Sequence, residues 1–398
     1  MTNLPQGWEV KKFEEIANIK GGKRLPKGEN LLDNNTKFTY IRVADFQDNG
    51  TINLQNIKFI NENTYNVLKN YKIYDDNLYI SIAGTIGKSG IIPKELNGAI
   101  LTENAVKLEY IQNNISNKFM YFFTLSNIFK TQIQTSTKIV AQPKLAITRL
   151  KQIQIPLPPL KEQERIVGIL DESFAKIDES IKILEQNLLN LDELMQSALR
   201  KAFNPLNDDT KENYQLPQSW EWKSLEEISE NISAGGDKPK NCTESKTAKN
   251  QIPVYANGVN NNGLVGYTDK ATIIKPSLTI SARGTIGFVC IRKEPYFPIV
   301  RLISLIPCEN ILCLHYLYFC LNFFIAKGEG SSIPQLTIPK FKSLQIPLPP
   351  LKEQEQIAKH LDFVFEKTKA LKELYTKELK DYEELKQSLL NKAFKGEL

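Results

Sequence analysis

Apolar residues recur every three or four positions along two stretches of the chain, and this pattern predicts two long helices. In the first stretch the spacing alternates strictly between three and four from Phe174 to Ala198, whereas in the second it is interrupted by Thr368 and Glu378. Such a repeat forms the seam of a two-stranded coiled coil, although two amphipathic helices that pack separately on globular cores would show a similar pattern. The predicted seam comprises Phe174, Ile177, Ile181, Leu184, Leu188, Leu191 and Met195 in the first helix and Leu361, Val364, Leu371, Tyr375, Tyr382, Leu385 and Leu389 in the second.

The segments before each helix show a different pattern, in which short apolar runs alternate with turn residues. "NLYISIAGTIGKSGII" predicts a strand, a glycine-rich turn and a second strand, and "TKFTYIRVADFQDNGTINL" predicts two strands around a turn at residues 48–50. "NKFMYFFTLSNIFKTQI" is apolar with helical spacing. Each segment is therefore predicted to be an α+β domain with mostly β character.

The whole plan occurs twice along the chain. "IPLPPLKEQE" stands at 155–164 and again at 346–355, and the opening "LPQGW" returns as "LPQSW". "SIAGTIGK" in the first half returns as "SARGTIGF" in the second. From Ile155 onward, 49 residues recur without a gap, whereas the preceding segments differ in length. A repeat of this size indicates two copies of a domain set, and the gapless part suggests that its length matters.

The repeat predicts four segments. Residues 1–155 form a first globular domain and 156–203 a first helix, while 204–346 comprise a linker with a second globular domain and 347–398 the second helix. Two like units usually pack about a pseudo-two-fold axis. We therefore expect an α+β fold in which two pseudo-two-fold-related domains are joined by long helices that form an antiparallel coiled coil. In this arrangement the C-terminal end of the chain comes close to its N-terminal end.

Composition and charge exclude several classes of protein. The chain has 398 residues, a net charge of +6 and no run of 18 residues that is free of polar interruption, which argues against a membrane span. The N-terminus lacks a signal-peptide pattern, so we expect a cytoplasmic protein. Basic residues exceed acidic ones by 20 to 13 in residues 1–159 but are outnumbered by 6 to 9 in 160–203. Excess base in the globular segments suits nucleic-acid contact, although a solubilising lysine-rich surface would look the same.

No group of residues resembles an active site or a metal site. His315 and His360 are the two histidines. The spacing of Cys308, Cys313, His315 and Cys320 matches no zinc site, and the apolar residues around them are typical of a protein core. The segment "GTIGKS" at 84–89 resembles the phosphate-binding loop of NTP-binding enzymes, but Ile82 occupies the position of that motif's first glycine. The second copy also lacks the lysine. A non-catalytic protein is favoured, with an NTP-binding enzyme that uses this turn as an alternative.

Glycine-rich and asparagine-rich loops with basic neighbours are the candidates for binding DNA. Glycines let the backbone approach phosphates closely, threonines offer hydroxyls, and asparagine can bind the edge of adenine through two hydrogen bonds. A single such loop is more often an ordinary β-turn, so its occurrence in both halves carries the argument. The candidate contacts are Lys20, Lys23, Arg24, Arg42, Gly84, Thr85, Gly87 and Lys88 in the first half and Asn257, Asn260, Arg283, Gly284, Thr285 and Gly287 in the second.

The "LPxxW" openings, the "GTIG" turns and the doubled "IPLPPLKEQE" together resemble the DNA-specificity subunit of type I restriction–modification systems over essentially the whole chain. The resemblance implies that each globular segment is a target recognition domain that reads one half of a split double-stranded DNA sequence. It implies that the helices space these domains and dock two methyltransferase subunits. S-adenosylmethionine, ATP and Mg²⁺ would then belong to methyltransferase and restriction–translocase partners, and this chain would be non-catalytic and would carry no cofactor of its own.

Two further readings share this architecture. A specificity subunit of a type II-like combined nuclease–methyltransferase would show the same motifs, and a coiled-coil scaffold without a role on DNA would show the same helices. The globular segments differ in sequence, since "YIRVADFQDNG" in the first has no counterpart in "IPVYANGVNNNG" of the second. Different readers predict two different half-sites. Helices of about 40 residues span about 60 Å, which suggests half-site centres about one duplex turn (~34 Å, ~10 bp) apart.

Overall fold

The computed structural model describes residues 4–34, 36–136, 144–204, 216–325 and 336–398. These divide into two compact units: unit 1 comprises residues 1–184 and 377–398, and unit 2 comprises residues 185–376. Both boundaries fall inside the long helices, so each unit contains one part of each helix. The predicted linker at 204–215 lies outside the described residues, apart from Asn204.

Unit 1 is mostly β, as the sequence predicts. Its strands are β1 (Glu9–Lys12), β2 (Ala17–Gly21), β3 (Thr39–Ile41), β4 (Lys58–Phe59), β5 (Lys72–Ile73), β6 (Leu78–Ser81), β7 (Ser89–Ile91), β8 (Ala99–Leu101), β9 (Ala105–Tyr110) and β10 (Gln154–Leu157). Its helices are α1 (Phe13–Ile16), α2 (Glu62–Leu68), α3 (Asn117–Leu125), α4 (Asn127–Ser136), α5 (Ile147–Leu150) and the first part of α6 (Leu160–Phe203).

Two four-stranded sheets form the body of unit 1. One has the order β2-β9-β6-β7 and is antiparallel throughout, and the other has the order β4-β3-β8-β5. The predicted strand, turn and strand around the "GTIG" sequence are confirmed as β6 and β7. The predicted hairpin around residues 48–50 is wrong, because β3 pairs with β4 and β8, and only an isolated bridge joins Phe46 to Ile52.

Unit 2 repeats the main part of this plan. Its strands are β11 (Glu221–Ser224), β12 (Ser229–Ala234), β13 (Ile252–Tyr255), β14 (Leu264–Thr268), β15 (Ser277–Ile280), β16 (Val289–Arg292), β17 (Phe297–Pro298), β18 (Ile303–Pro307) and β19 (Gln345–Leu348). Its helices are α7 (Leu225–Ile228), α8 (Leu314–Phe324), α9 (Ile338–Lys342), the second part of α6 and the first part of α10 (Leu351–Ala393). The sheet β12-β18-β15-β16 corresponds to β2-β9-β6-β7, whereas a three-stranded sheet, β14-β13-β17, replaces the second sheet of unit 1.

The repeated proline motif forms a strand before it starts a helix. Residues 154–157 make β10, which pairs antiparallel with β1, and 345–348 make β19, which pairs in the same way with β11. The segments "EVKK" at 9–12 and "EWKS" at 221–224 are therefore the partners of "QIPL" in their units. Both long helices begin after the prolines, at Leu160 and Leu351. The helices predicted from 156 and 347 thus start four residues later than expected, because the first residues of each motif belong to the sheet.

A buried glutamine in each copy of "KEQE" ties the start of the long helix to the globular part of its unit. Gln163 is 1% exposed, accepts a hydrogen bond from the Ser116 N–H at 2.9 Å, and donates to the carbonyls of Asn114 and Pro158. Gln354 is 0% exposed and makes the equivalent bonds, accepting from Cys313 N–H at 2.9 Å. It donates to two carbonyls in the same way. Each amide therefore satisfies three backbone groups that burial would otherwise leave unpaired.

The long helices pack side by side in each unit, and the direction is antiparallel. In unit 1 the start of α6 packs with the end of α10, since Ile166 and Leu170 share a core with Leu390 and Phe394. In unit 2 the end of α6 packs with the start of α10 in the same manner, since Phe203 shares a core with Leu361. This confirms the predicted pairing of the two helices. All the predicted seam residues of α6 are buried or half-buried.

The seam of α10 departs from the prediction at two positions. Leu371 and Leu385 are 38% and 45% exposed, so they lie outside the contact. The adjacent residues Lys372 and Lys386 lie closer to it, and each pairs with an aspartate of α6, Asp192 and Asp178 respectively. The apolar pattern predicted leucines in the seam, but lysines take their place. A lysine can do so because its stem covers apolar surface while its ammonium group reaches a carboxylate at the edge.

The two ends of the chain meet in unit 1, as the repeat predicts. Phe394, Leu398 and Trp8 belong to the same hydrophobic cluster, and the Leu398 carbonyl accepts a hydrogen bond from Arg165 at 2.7 Å. A methyl group added at Gly396 would meet Pro5 at 2.3 Å. The last residues of the chain are therefore part of the core of unit 1.

Candidate nucleic-acid interface

The two "GTIG" turns adopt the same conformation. Each joins two antiparallel strands, β6 to β7 in unit 1 and β15 to β16 in unit 2. The Gly87 N–H donates to the Ser81 carbonyl at 2.9 Å, and the Gly287 N–H donates to the Ser281 carbonyl at 3.0 Å. Four glycines have positive φ values, which other residues rarely adopt: Gly84 (76°), Gly87 (88°), Gly284 (70°) and Gly287 (81°). The repeated sequence thus encodes a repeated backbone shape.

The apex of each turn offers backbone N–H groups to a ligand. The N–H groups of Gly84 and Thr85, and likewise of Gly284 and Thr285, have no hydrogen-bond partner within the described part of the chain. Both Gly84 and Gly284 are exposed, and a methyl group on either would meet nothing within 4 Å. Successive free N–H groups in such turns form a concave site for an anionic oxygen. The turns can therefore hold a phosphate oxygen without any side chain.

These turns do not have the architecture of an NTP-binding loop. The first is followed by β7, whereas the phosphate-binding loop of that class opens a helix. The Lys88 ammonium lies 2.8 Å from the Asp48 carboxylate, at the edge of a cavity of about 450 Å³ that Lys130 and Ile133 also line. Phe288 takes the place of Lys88 in unit 2. The lysine that would have to bind a nucleotide is thus paired in one unit and replaced in the other.

Three predicted cations of unit 1 lie on β2 and the loop that follows it. The Lys20 ammonium is 2.6 Å from Glu109, and Arg24 Nε is 2.7 Å from Glu103. Lys23 is exposed and has no carboxylate partner among the residues described. All three lie at the surface, since Lys20 and Arg24 are 55% and 80% exposed at the side chain. Surface ion pairs of this kind are weak, so both cations can exchange a carboxylate for a phosphate.

Arg42 is placed differently from the other cations. Its guanidinium donates to the Asp45 carboxylate, with Nε at 3.1 Å, and to the Asn56 carbonyl at 2.9 Å. Asp45 is only 2% exposed, so it depends on this counter-charge. The structure therefore places Arg42 in a supporting role for the 3₁₀ turn at Val43–Asp45, and a contact with DNA would compete with that role.

The loop after β2 is held to the sheet by Tyr40 and Glu103. Burial raises the pKa of Tyr40 to about 12, and its hydroxyl donates to the Lys23 carbonyl at 2.8 Å. Burial acts to raise the pKa of the Glu103 carboxyl, but hydrogen bonds, first of all from Arg24, outweigh it and keep this pKa below its ordinary value. Glu103 is therefore a carboxylate at neutral pH that pairs with Arg24, whereas Lys23 on the same loop has no carboxylate partner among the residues described.

In unit 2 the amide of Asn257 joins three segments. Its Oδ1 accepts the Ala282 N–H at 2.8 Å, just before the "GTIG" turn, and its Nδ2 donates to the Val300 carbonyl. The neighbouring Gly258 N–H donates to Ser281 Oγ at 3.3 Å. Because both ends of the Asn257 amide bind backbone groups, its geometry is that of a positioning residue rather than of a base reader.

The asparagines that follow are presented to solvent. Asn260, Asn261 and Asn262 are exposed, and the last two have left-handed backbones with φ of 47° and 52°. Sequence reasoning missed Arg292, which holds this loop: its guanidinium donates to the Asn262 carbonyl and to Thr279 Oγ1, and stacks on the Tyr255 ring at 3.5 Å. Arg292 is 8% exposed, and a lone arginine inside a strand carries no sequence signal for this role.

The other predicted residues of unit 2 lie on the turn itself. Arg283 and Gly284 are exposed, and Gly287 is buried beneath them. The Thr285 hydroxyl is buried and has no hydrogen-bond partner within the described ranges. The structure therefore brings Arg283, Gly284 and Thr285 together with Asn257 through the Ala282 bond, whereas Asn260 lies further along its own loop.

Other kinds of site find no support in the described parts of the chain. No group of three or more histidine, cysteine, aspartate or glutamate residues there is arranged to hold a metal ion. None of the described helices is long and apolar enough to cross a membrane.

Known proteins resemble this chain over most of its length. The family model for the type I restriction modification DNA specificity domain matches twice, at residues 5–189 and 217–381. A protein of Mycoplasma pneumoniae that bears the name of a type I specificity subunit is 29% identical over 353 residues, which are 88% of this chain and 87% of that protein. The EcoBI specificity subunit of Escherichia coli, a type I restriction enzyme subunit, is 31% identical over 205 residues, 50% of this chain and 42% of that one.

Solved structures share the fold. A chain from a study of complex assembly and conformational transition of the type I R-M system superposes with a TM-score of 0.82 at 20% identity, and the match covers 100% of both chains. The HsdS subunit from Thermoanaerobacter tengcongensis gives a TM-score of 0.61 at 20% identity, covering 100% of this chain and 98% of that one.

Proposed function

Because the chain belongs to the type I restriction–modification DNA specificity family and is a specificity subunit with two tandem specificity domains, we propose that it reads a bipartite, asymmetric DNA target. In this proposal each unit reads one half-site, and the chain itself performs no chemistry. The observation that carries the proposal is the pair of identical turns set among different neighbours. The turns offer the same N–H groups to phosphate, which positions DNA, whereas the loops beside them differ and can read bases.

The differing neighbours support two unlike half-sites. Unit 1 places the paired Lys88 beside its turn, and unit 2 places Phe288 there. Unit 2 adds the exposed asparagines at 260–262, which have no equivalent in the sheet β4-β3-β8-β5 of unit 1. Sequence information is read by side chains at base edges, so different side chains on a common frame give different targets.

Docking of two methyltransferase subunits on the long helices is the second part of the proposal. Apolar side chains stand exposed along both helices, although neither helix needs them for its own packing. Where such residues lie next to one another they form an apolar patch of the kind that marks contact surfaces for other proteins. They are Ile183, Leu189 and Leu194 on α6 and Phe363, Leu371, Leu374 and Leu385 on α10. Their partners would bind S-adenosylmethionine and methylate adenine, and a restriction–translocase subunit would use ATP and Mg²⁺.

Mapping of methylated adenines tests the proposal directly. The full chain is co-expressed with candidate methyltransferase subunits in a host that lacks other adenine methylation, and the genome is sequenced for modified bases. We expect one bipartite, non-palindromic motif with an unread gap between its parts. A continuous or palindromic motif, or an absence of methylation with soluble complex present, would contradict the proposal. Omission of this chain is the matched control.

A further inference from the structure

A strained turn stands beside the recognition loops of unit 2. Val300 and Arg301 join β17 to β18, and both have left-handed backbones, with φ of 53° and 62°. For a β-branched residue such as Val300 this conformation is a genuine outlier. The equivalent link of unit 1, Thr102–Asn104 between β8 and β9, contains no residue of positive φ. Strain of this kind persists only where the surroundings enforce it, and it concentrates at functional sites.

Backbone contacts enforce the strained turn. The Val300 N–H donates to the Gly236 carbonyl at 2.8 Å, and the Arg301 N–H donates to the Gly235 carbonyl at 3.0 Å. A methyl group at Gly235 would lie 2.6 Å from the Ile299 nitrogen, so the two segments approach as only glycine permits. The Val300 carbonyl in turn accepts the Asn257 amide. Every polar backbone group of Val300 is thus fixed from outside the turn.

The same asparagine connects this turn to the "GTIG" turn of unit 2. Asn257 binds Val300 with one end of its amide and Ala282 with the other. Arg301 therefore stands at the same end of the unit as the free N–H groups of Gly284 and Thr285. Its side chain is exposed and has no ion-pair or hydrogen-bond partner within the described residues. An unpaired guanidinium on a rigid backbone retains all five donors for a ligand.

The corresponding place in unit 1 has the opposite charge. The link between β8 and β9 carries Glu103, which is occupied by Arg24 at 2.7 Å. The two units thus share a frame but differ in charge and in backbone strain at this link. Differences in side chain and backbone on a shared frame are what distinct half-sites require.

We propose that Arg301 is a specificity-determining residue that reads a guanine in the half-site of unit 2, with Asn257 as its positioning residue. This inference rests on the proposed function and names one residue that recognises a base. The planar fork of arginine matches guanine O6 and N7 with two parallel hydrogen bonds in the major groove, and this geometry depends on a fixed backbone. The contacts of Asn257 and of Gly235 supply that rigidity.

Substitution of Arg301 in the full chain tests whether this residue reads a base. Arg301→Ala and Arg301→Lys are each co-expressed with the methyltransferase partners, and methylated adenines are mapped. We expect Arg301→Ala to lose preference for guanine at one position of one half-site by roughly 5- to 150-fold, while the other half-site is unchanged. Arg301→Lys should keep part of this preference, because lysine also donates to guanine O6 and N7 but lacks the planar fork. Lys249→Ala removes an exposed cation near the opposite end of β13 and is the matched control, which should keep the wild-type motif.

The two half-sites make the outcomes distinguishable. If the wild type gives a bipartite motif and Arg301→Ala gives the same motif with equal preference, Arg301 is not a reader and the inference fails alone. If Arg301→Ala lowers methylation at all sequences alike and leaves the base preference unchanged, the residue contacts phosphate rather than a base, and the inference fails. If the wild type itself gives no bipartite motif, the proposed function fails. The unchanged half-site also shows that each variant is folded and assembled.

Asn257→Asp tests the positioning role separately. The aspartate keeps an acceptor for the Ala282 N–H but loses the donor to the Val300 carbonyl. We expect it to weaken discrimination at the same position as Arg301→Ala, and the double variant to be no worse than Arg301→Ala alone, because both changes remove one interaction. Additive losses in the double variant would show that Asn257 acts independently of Arg301 and would overturn this part of the inference.

Discussion

At the scale of single residues, the glutamine of "KEQE" explains why the motif is written twice. Prolines and glutamates favour the helix start, as the sequence suggests, but the amides of Gln163 and Gln354 join that start to the loop before α3 and to the loop before α8. Each side-chain amide forms hydrogen bonds with three backbone groups that water would otherwise satisfy, and each glutamine is 1% exposed or less. A buried amide of this kind fixes the orientation of the long helix relative to its own sheet.

The buried glutamines should therefore be critical for stability. Gln163→Leu and Gln354→Leu leave the Ser116 or Cys313 N–H and two carbonyls without partners, and we expect each variant to lose roughly 3 kcal/mol. Urea-induced unfolding followed by circular dichroism measures the loss. Gln356→Leu, at an exposed position of α10, should change stability by less than about 0.5 kcal/mol. Equal effects at buried and exposed positions would contradict the role of these bonds.

At the scale of secondary-structure elements, α10 shows how lysines can replace leucines in a helix contact. Lys386 is 17% exposed at its side chain, and its ammonium lies 5.8 Å from the centroid of the Phe174 ring while it pairs with Asp178. The lysine stem thus covers apolar surface, and the neighbouring Leu385 faces solvent. The contact thus keeps most of the predicted α10 positions but uses lysines in place of two of them, which leaves Leu371 and Leu385 at the surface.

Two leucines of α10 should differ sharply in their contribution. Leu390 is 1% exposed in the core of unit 1, so Leu390→Ala should destabilise the protein by about 2–5 kcal/mol. Leu385→Ala removes the same atoms from a surface position and should cost less than about 0.5 kcal/mol. Thermal and urea unfolding of the isolated chain compare them. Similar losses for both variants would restore Leu385 to the seam.

At the scale of the whole molecule, each unit takes core residues from both repeats of the chain. The core of unit 1 contains Ala393 and Phe394 from the last helix, and the core of unit 2 contains Leu199 and Phe203 from the first. The "KAF" sequence at the end of each repeat thus packs in the core of the unit that contains the globular segment of the other repeat. Phe394 and Leu398 share a hydrophobic cluster with Trp8, so residues near position 1 and position 398 lie close together.

A circular permutant tests this arrangement. The chain is opened within residues 204–215 and its natural ends are joined by a short linker, which keeps both cores complete. We expect a soluble protein whose methylation motif equals that of the wild type, because termini that lie close together tolerate this change. The control is the wild type with the same linker appended. If the control is soluble and active but the permutant is not, the result would count against the meeting of the chain ends.

Much of this fold could be predicted because the repeat supplies its own alignment. Helix length and the strand–turn–strand unit follow from patterns within short segments. The meeting of the chain ends follows from a comparison of the two repeats. The strand made by "QIPL", the pairing of β3 with β4 and β8, and the lysines of the α10 contact could not be predicted in this way. Each depends on a partner far along the chain, since β1 lies more than 140 residues from β10.

The sequence by itself determined the two-copy architecture, the antiparallel helices and the glycine turns, because these rest on patterns within short segments and on their repetition. Only the tertiary structure decided which polar residues serve the fold and which face a ligand. The side chains of Arg42, Asn257 and Arg292 form hydrogen bonds within the fold. Arg301, in contrast, lies on a strained turn and has no partner among the described residues. Composition cannot separate these cases, because the role of a polar side chain depends on whether a distant backbone group comes within hydrogen-bond distance of it.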